Sequence, residues 1–240
     1  MLWAMPSKIT GAAVLGAVLF LSACSALGTS QPTGSAPHTS SAQSPVTAPS
    51  PTRHRALVML PVAPGAGRLP QTMARPTAHD RAFHAMVSDL WLAVKTGKAS
   101  YGRQAFFPVA AYKQVKAIVD PALDWRTRLW DDFVLDVRAA HALLGRHARA
   151  ARLVRVIVDS PGAGWVGPGV CYNRIGYWHV ANSRVVYRLR GQVRSFGIAS
   201  LISWRGVWYV VHFGGVVRGA VGMVDSPAIG TGSPGPQGGC

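Results

Sequence analysis

The chain contains no glutamate and is poor in acidic residues altogether. Only nine of its 240 residues are acidic, all of them Asp, against 25 Lys and Arg, so the formal net charge is +16. Any carboxylate in a functional site is therefore one of the aspartates. The excess of Arg, with abundant Ala, Gly and Val, is typical of high-GC codon usage. Whatever its origin, the charge attracts polyanions such as acidic lipid headgroups or wall phosphates.

Several motifs of known chemistry are also missing. No C-x-x-C or H-x-x-x-H spacing occurs, so we expect no metal site. No G-x-S-x-G elbow presents a serine nucleophile. The glycine-rich stretch 162–169 opens no helix, which argues against a phosphate-binding loop. Hydrophobic residues nevertheless make up 49% of the chain, which is enough for a core and excludes general disorder.

The N-terminus combines one basic residue with a short apolar run. Lys8 precedes the run 9–21, which is too short to span a bilayer comfortably, since a spanning helix needs roughly 20 apolar residues. Leu21-Ser22-Ala23-Cys24 ends it, and this pattern resembles the lipobox of bacterial lipoprotein signal peptides. The resemblance implies cleavage before Cys24, lipid on its thiol and an anchor on the extracytoplasmic face of the cell membrane. An ordinary cleaved signal with a coincidental cysteine is the alternative.

Composition divides the chain into five segments. Residues 1–23 form the expected signal peptide, and residues 24–52 carry the lipidated cysteine and a Ser/Thr/Pro-rich tether with no Asp, Glu, Lys or Arg. Such a tether cannot bury a core, and it holds the domain near the membrane. We predict a poorly ordered lead-in at 53–76, an α+β domain at 77–225 and a Gly/Pro-rich tail at 226–240.

Two cysteines remain if Cys24 carries lipid. Disulfides persist outside the cytoplasm, and a bond between Cys171 and Cys240 would fasten the tail to the domain. We expect this pair. A bridge between two chains is the alternative, because Cys240 ends a glycine-rich tail and is sterically free.

The first predicted helix begins near Thr77 and ends at Gly97. Thr77 and Asp80 have the spacing of a capping box. The apolar residues that follow have the helical spacing of one buried face: Phe83, Met86, Val87, Leu90, Trp91 and Val94.

Two more helices are predicted before Gly145. The second begins at Pro108 and continues to about Ile118, since Pro is favoured at the first helical position. The third is capped by Asp124 and ends at Gly145. Its expected buried residues are Leu129, Trp130, Phe133, Val137 and Leu144.

After Gly145 the apolar period changes to two, which predicts strands. They are expected at 153–158, 174–180, 184–189, 192–204 and 207–214. Tight turns are expected at Asn182-Ser183, Arg190-Gly191 and Arg205-Gly206. Short turns join antiparallel neighbours, so the strands form a meander. The predicted fold class is α+β, with three N-terminal helices packed on a curved antiparallel sheet.

The turns also assign each side chain to one face of the sheet. We expect the larger and more aromatic face to pack against the helices. That face holds Trp178, Val180, Val185, Tyr187, Arg194, Phe196, Ile198, Ser200, Ile202, Trp204, Val207, Tyr209, Val211 and Phe213. The opposite face holds Tyr177, His179, Arg184, Arg188, Ser195, Gly197, Ala199, Ser203, Trp208 and His212.

Two stretches carry a fold resemblance. Leu90-Trp91-Leu92-Ala93 leads to Gly97 and then Phe106-Phe107-Pro108, and the chain later closes on a hairpin from Ile202 to His212. Together they resemble the NTF2-like (SnoaL-like) cone, and residues 77–240 also look like a group of lipoproteins from high-GC bacteria. The cone implies a pocket on its concave face, under the third helix. This sequence departs from that pattern because all three helices precede the first strand.

The register places one group of side chains where the resemblance implies the pocket. Aromatic walls with one guanidinium suit a small apolar molecule that carries an anionic or carbonyl group. The alternative is that the aromatic side chains are cross-strand core and the arginine extends along the sheet edge. The candidate ligand-binding residues are Trp178, Tyr187, Arg194, Ser200 and Tyr209.

Few residues of the chain are placed where acid–base catalysis would need them. A ketosteroid-isomerase-type site, which the resembled fold can host, needs a buried carboxylate as base, and no Asp lies inside the predicted meander. His179 and His212 are expected on the face away from the pocket, with structural roles. The solvated face of the third helix is expected to hold Asp131, Asp132, Asp136 and His141.

We therefore expect a non-enzymatic, lipid-anchored envelope protein. Its domain would bind a partner protein or a small apolar ligand, without a cofactor or metal. The first alternative is an NTF2-like enzyme or carrier that uses the aromatic pocket. The second is a cationic module that binds anionic envelope polymers. Because export separates the chain from nucleic acid, we expect no nucleic-acid partner.

Overall fold

The computed structural model describes residues 59–215 and 221–234. The expected signal peptide, Cys24 and nearly all of the tether and lead-in lie outside these residues, as does Cys240. The described chain is α+β, as predicted: helices occupy its first half and two antiparallel sheets its second half. In this part of the chain no helix is long and apolar enough to cross a bilayer.

Helices follow one another from residue 81 to residue 144. They are α1 (Arg81–Thr96), α2 (Val109–Val115), α3 (Pro121–Asp124) and α4 (Asp131–Leu144), with a π-helical segment, Trp125–Trp130, between α3 and α4. Short 3-10 turns lie at Ala66–Arg68, Ala99–Gly102, Gly145–Ala150 and Val170–Tyr172.

The end and the buried face of α1 were predicted, but its start was placed too early. Asp80, not Thr77, caps the helix: its side chain accepts a hydrogen bond from the backbone N–H of Phe83, 2.7 Å away. Thr77 instead donates to Asp80. Gly97 ends the helix in the left-handed conformation, at φ 68°. The predicted apolar face is buried except for Trp91, which is half-buried.

The predicted third helix begins earlier than expected, and its cap is a different aspartate. Asp120 caps α3 by accepting hydrogen bonds from the N–H groups of Ala122 and Leu123. Asp124 lies inside the helical run and pairs with Arg128. Pro121 lies in the first turn of α3, a position that proline favours, so the third helix begins there.

Eight strands form two four-stranded antiparallel sheets. The strands are β1 (Arg152–Ile157), β2 (Gly164–Val166), β3 (Tyr177–Val180), β4 (Ser183–Leu189), β5 (Gln192–Ile198), β6 (Ser200–Trp204), β7 (Val207–His212) and β8 (Asp225–Ile229). The first sheet has the order β1-β4-β5-β8 and the second the order β2-β3-β6-β7. Strands β2 and β8 were not predicted.

The predicted single meander is wrong, because the chain changes sheets twice. It passes from the second sheet to the first between β3 and β4, and back again between β5 and β6. The predicted strand 192–204 is β5 and β6, divided at Ala199. The predicted turn at Asn182 does not make β3 and β4 neighbours. One register nevertheless continues through the division: Ser183 pairs with Ile198, and three residues away Val180 pairs with Leu201. Residues 177–204 are thus one long hairpin that bends across two sheets.

Local conformation accounts for the turns and for part of the bend. Arg190-Gly191 and Arg205-Gly206 have positive φ at both positions, as two-residue hairpin turns require, so both predicted turns are confirmed. Asn182 has φ 59°, a conformation that Asn tolerates better than most residues.

Most of the predicted inner face is in the core, but β3 was assigned with the wrong orientation. His179 pairs with Ile202, and cross-strand partners point to the same side. Tyr177 and His179 therefore share a face with Ile202, and Trp178 lies on the other. The error follows from the wrong turn at Asn182.

The described part of the tail is fastened to the first sheet by Arg184, which is buried. Its guanidinium donates to the backbone oxygens of Thr231 at 2.7 Å and Ser226 at 2.9 Å, and to the hydroxyl of Ser195 at 2.8 Å. Strand β8 crosses β5 so closely that a Cβ at Gly197 would lie 2.7 Å from the Cβ of Asp225.

Asp136 was expected on the solvated face of its helix, and this was wrong. Its side chain is buried and accepts hydrogen bonds from the N–H of Phe213 at 3.1 Å and of Met223 at 2.9 Å. The carboxylate thus joins α4 to the chain that follows β7. The spacing of residues along a helix does not predict hydrogen bonds to such distant parts of the chain.

Candidate ligand-binding site

Two of the predicted pocket residues, Tyr187 and Arg194, do lie side by side. They are cross-strand partners in the first sheet. The ring of Tyr187 is buried and packs on Trp91, with ring centroids 5.7 Å apart. Arg194 donates to the side chain of Gln192. Tyr187 therefore packs in the core, and Arg194 lies on the surface of the sheet. Neither residue lines the two cavities that contain Ser200 and Tyr209.

Trp178 is separated from that pair. Its indole N–H donates to the backbone oxygen of Met73 at 3.1 Å, and the guanidinium carbon of Arg75 lies 5.1 Å from its ring centroid. Trp165 packs edge-on against it, with centroids 5.6 Å apart. Ser200 and Tyr209 line two different cavities. The five predicted residues are not brought together, and a binding role for them stays a prediction.

The larger of these two cavities is an open cleft of about 420 Å³. One wall is the segment 62–68, and the other is formed by residues 103–110 with Trp125 and Tyr209. Its lining residues are Val62, Ala63, Pro64, Gly65, Gly67, Arg68, Arg103, Gln104, Phe106, Pro108, Val109, Ala110, Trp125 and Tyr209. The volume is in the range of pockets that hold small organic ligands.

Arg103 supplies the charge beside the aromatic wall. Its guanidinium carbon lies 4.6 Å from the ring centroid of Trp125 and 4.3 Å from that of Trp130. Burial against these rings lowers the pKa of Arg103, but a guanidinium remains charged at any physiological pH. Within the described residues its only ring or polar partners are the two indoles, so its N–H groups remain available to a ligand.

The two tryptophans are themselves held in place. The indole N–H of Trp125 donates to the backbone oxygen of Phe107 at 2.8 Å. Phe106 packs edge-on against both rings, with centroids 5.5 Å from Trp125 and 5.3 Å from Trp130. The aromatic wall is therefore preorganised, which limits the entropy lost on binding.

The segment 62–68 is held against the rest of the domain by the side chains of Trp204 and Gln114. Trp204 donates to the backbone oxygen of Ala66 at 3.0 Å, and Gln114 donates to that of Gly67 at 2.9 Å. Gly67 lies so close to α2 that a Cβ there would be 2.8 Å from the Cβ of Pro108. The outer wall is thus part of the fold.

Tyr209 forms the buried end of the cleft. Its ring packs edge-on against Phe107, with centroids 6.0 Å apart. Burial raises the pKa of Tyr209 to about 12, so its hydroxyl is neutral at physiological pH. The lining of the cleft thus offers apolar and aromatic walls, two arginines, one phenol and no carboxylate.

A second, smaller cavity of about 50 Å³ lies between α2, the π-helical segment and the second sheet. It shares no lining residue with the cleft. Its lining residues are Phe107, Tyr112, Val115, Lys116, Arg128, Leu129, Tyr177, Ser200, Ile202, Val211 and His212.

A hydrogen-bonded group closes one side of this small cavity. Arg128 donates to Asp124 from Nε at 2.8 Å and from Nη2 at 2.9 Å, and to the hydroxyl of Tyr112 at 2.6 Å. Tyr112 in turn donates to Asp124. The hydrogen bond from Arg128 lowers the pKa of Asp124. Burial, followed by the bond to Asp124, raises the pKa of Tyr112, so the phenol stays neutral.

The two histidines were expected to face away from the pocket, and this was wrong. His212 lines the small cavity, while His179 lies 3.0 Å from the hydroxyl of Ser200, which also lines it. Burial lowers the pKa of His179, so this imidazole is neutral at physiological pH. Within the described residues no group of three or more His, Cys, Asp and Glu could hold a metal ion.

Comparison of the chain with protein-family models, curated proteins and solved structures gives no match. The resemblance to the NTF2-like cone therefore stays a prediction.

Sequence reasoning did not find the cleft. Trp125 and Trp130 are five residues apart, a spacing that an α-helix places on different faces and a π-helix on one. Arg103 lies in a 3-10 turn region with no periodic signal. The concentration of tryptophans at 125–130, next to an Arg-rich stretch, was the one available hint.

Proposed function

We propose that this protein is a lipid-anchored lipoprotein on the extracytoplasmic face of a cell membrane, and that its domain binds a small amphiphilic ligand. The ligand would have an apolar body and one anionic group. The observation that carries this proposal is the 420 Å³ cleft, which Arg103 and Trp125 line and where Arg103 rests on the rings of Trp125 and its neighbour Trp130. The anchor rests on the motif Leu21-Ser22-Ala23-Cys24.

The lining of the cleft supports this ligand class. Phe106, Val109 and Trp125 offer apolar contact to the body of the ligand. Arg103 and Arg68 offer an anionic group two guanidinium partners, and a guanidinium binds a carboxylate or phosphate with two parallel hydrogen bonds. An acidic lining group, which would repel such a ligand, is lacking in the described cleft.

The π-helical segment is a further point in favour. Short π-helical stretches interrupt α-helices at a cost and are frequent at functional sites. Here the stretch sets Trp125 and Trp130 with their rings nearly parallel, at 7°. That arrangement provides the surface on which Arg103 rests.

The finer fold is also a proposal. We infer an NTF2-like cone from the bent hairpin 177–204 and from the helices that pack on the inner face of its sheets. The small cavity under the π-helical segment would then be what remains of the cone's interior.

One observation favours a second function, binding of anionic envelope polymers. Four exposed arginines follow one another between α4 and the end of β1, and within the described chain none of them makes an ion pair. They are Arg146, Arg149, Arg152 and Arg155. Binding through them would weaken steeply as salt is added, because exposed charges are screened.

Native mass spectrometry tests the primary proposal. Residues 53–240 would be exported, purified without reductant and detergent, and sprayed with and without octanoate. A copurified amphiphile, or an octanoate adduct that Arg103→Met removes and Arg126→Met keeps, is the expected result. Arg126 is an exposed neighbour of Trp125 and does not line the cleft. A spectrum that shows only apo protein at millimolar octanoate would overturn the proposal.

A further inference from the structure

We infer that the small cavity between α2 and the second sheet is a binding site for a small oxyanion, a carboxylate or phosphate group, held by Lys116 and Arg128. This site goes beyond the amphiphile cleft, with which it shares no lining residue.

The charge of the lining points to an anion. Two of its side chains, Lys116 and Arg128, are cationic, and its described residues include no carboxylate. Asp124, behind Arg128, balances one of these charges. Tyr112 is neutral. One positive charge therefore remains at the cavity, and a cationic ligand would be repelled.

Lys116 has donor capacity left for a ligand. Its ammonium donates to the backbone oxygen of Cys171 at 2.7 Å and lies 5.8 Å from the ring centroid of Tyr112. It makes no ion pair in the described chain. An ammonium has three N–H groups, so two remain. Burial, and then Arg128, lower the pKa of Lys116 to about 8, and Asp124 offsets only part of this shift.

Arg128 also has donors left over. Its Nε and Nη2 groups bind Asp124 and Tyr112, whereas Nη1, with two N–H groups, has no partner among the described residues. Its side chain is 47% exposed, so the charged end of the cavity reaches solvent. The hydroxyl of Ser200, which is hydrogen-bonded to His179, also lies at the wall.

The backbone around Lys116 is held in an arrangement that favours this role. Lys116 forms an isolated bridge with Asn173, and the N–H of Arg174 donates to the oxygen of Val115 at 2.7 Å. Cys171 and Tyr172 both have positive φ, 56° and 58°. Two successive non-glycine residues in this conformation are costly and persist only where the surrounding structure holds them. Cys171 is also disulfide-bonded, and its carbonyl accepts the hydrogen bond from Lys116.

The size of the cavity sets the ligand class. About 50 Å³ of free space holds a few water molecules, or one carboxylate or phosphate group. A larger molecule would have to extend past Arg128 into solvent.

The test observes Lys116 directly in the full chain, held in non-ionic detergent micelles. With lysine labelled by ¹³C at Cε, the five lysines of the chain give few NMR signals, and Lys116→Met identifies the one of interest. Acetate and inorganic phosphate are added separately, at constant ionic strength maintained with chloride.

The expected result is a saturable shift of the Lys116 signal alone, with a dissociation constant of about 1 mM for at least one of the two anions. The anion that saturates identifies the source as carboxylate or phosphate. Thermal unfolding then gives the affinity of variants: Lys116→Met should weaken binding about tenfold or more, and Lys113→Met, on an exposed position of the same helix, by less than about twofold.

Two outcomes would overturn the inference. One is a Lys116 signal that neither anion moves. The other is an equal shift of Lys113 and Lys116 that chloride reproduces, since this would be general screening. If Lys116→Met does not fold, the titration of the wild-type signal still decides between these results.

Discussion

Trp125 and Trp130 lie with their ring planes 7° apart and their centroids 5.8 Å apart. They are five residues apart in the chain, and the π-helical hydrogen-bond pattern between them brings such residues onto one face. Arg103 lies over both rings. The π-helical segment Trp125–Trp130 thus sets a second indole beside Trp125, which lines the cleft, and Arg103 rests on both.

The first prediction concerns this wall. Arg103→Met should weaken octanoate binding about tenfold, because the variant removes the guanidinium that rests on the indole rings and its ion pair with the ligand carboxylate. Quenching of tryptophan fluorescence during an octanoate titration gives the affinity. The matched control, Arg126→Met, should bind as the wild type does. Equal affinities of both variants would exclude Arg103 from the site.

A second prediction follows from the lowered pKa of Lys116. Since this pKa is about 8 in the folded chain and near 10.4 in an unfolded one, the unfolded state holds more protons between these values. The free energy of unfolding should therefore rise with pH from about 8 to 10. Above pH 10 the buried tyrosines lower the free energy of unfolding. Tyr209, for example, has a pKa of about 12 in the folded chain and about 10 in an unfolded one, so between these values it is protonated only when the chain is folded.

Urea unfolding at a series of pH values measures this effect. Lys116→Met should remove most of the rise, and Lys113→Met, which changes an exposed lysine, should retain it. A wild-type stability that is flat between pH 8 and pH 10 would contradict the assigned burial of Lys116.

Asp136 provides a stability prediction. Asp136→Asn should lower the free energy of unfolding by about 1–3 kcal/mol, because an amide cannot accept from both Phe213 and Met223 with the strength of a carboxylate. Asp131→Asn, at an exposed position of the same helix, should change it by less than about 0.5 kcal/mol. Chemical denaturation measures both, and similar losses in the two variants would refute the role of Asp136.

Arg184 provides a prediction about local opening. Arg184→Met should raise the amide exchange rate of β8 about tenfold or more, because the backbone oxygens of Ser226, Thr231 and Ser233 lose their donor. Exchange in α1 should change little. The control is Arg188→Met on the same strand, where the side chain is exposed and donates to the backbone oxygen of Gly191. Unchanged exchange in β8 would mean that its backbone hydrogen bonds to β5 hold the strand in place without Arg184.

The anchor has its own test in the producing cell. Cys24→Ala should abolish incorporation of labelled palmitate and release the chain from membranes or leave it as uncleaved precursor. An inhibitor of signal peptidase II should cause the same precursor to accumulate in the wild type. Ser25→Ala, one residue further on, should be lipidated normally. Palmitate labelling that survives Cys24→Ala would refute the lipobox.

Features that depend on neighbouring residues were predictable. The buried face and the end of α1 follow from helical spacing and from Gly97, and two hairpin turns follow from Arg190-Gly191 and Arg205-Gly206. The bend of the hairpin 177–204 was not predictable, because alternation looks the same in a straight and in a bent strand. Because the predicted sheet lacked this bend, β3 was given the reversed orientation and His179 was placed on the wrong face.

The sequence by itself determined the α+β class and most of the side chains that enter the core, because periodicity and turn chemistry act over a few residues. Only the tertiary structure decided where Asp136 and Arg184 make their bonds, and which side chains meet in the cleft and the small cavity. Arg103 meets Trp130, and Lys116 meets Cys171, across many residues of chain. Such contacts depend on how helices and strands pack against one another, and the secondary-structure preferences of neighbouring residues do not predict this packing.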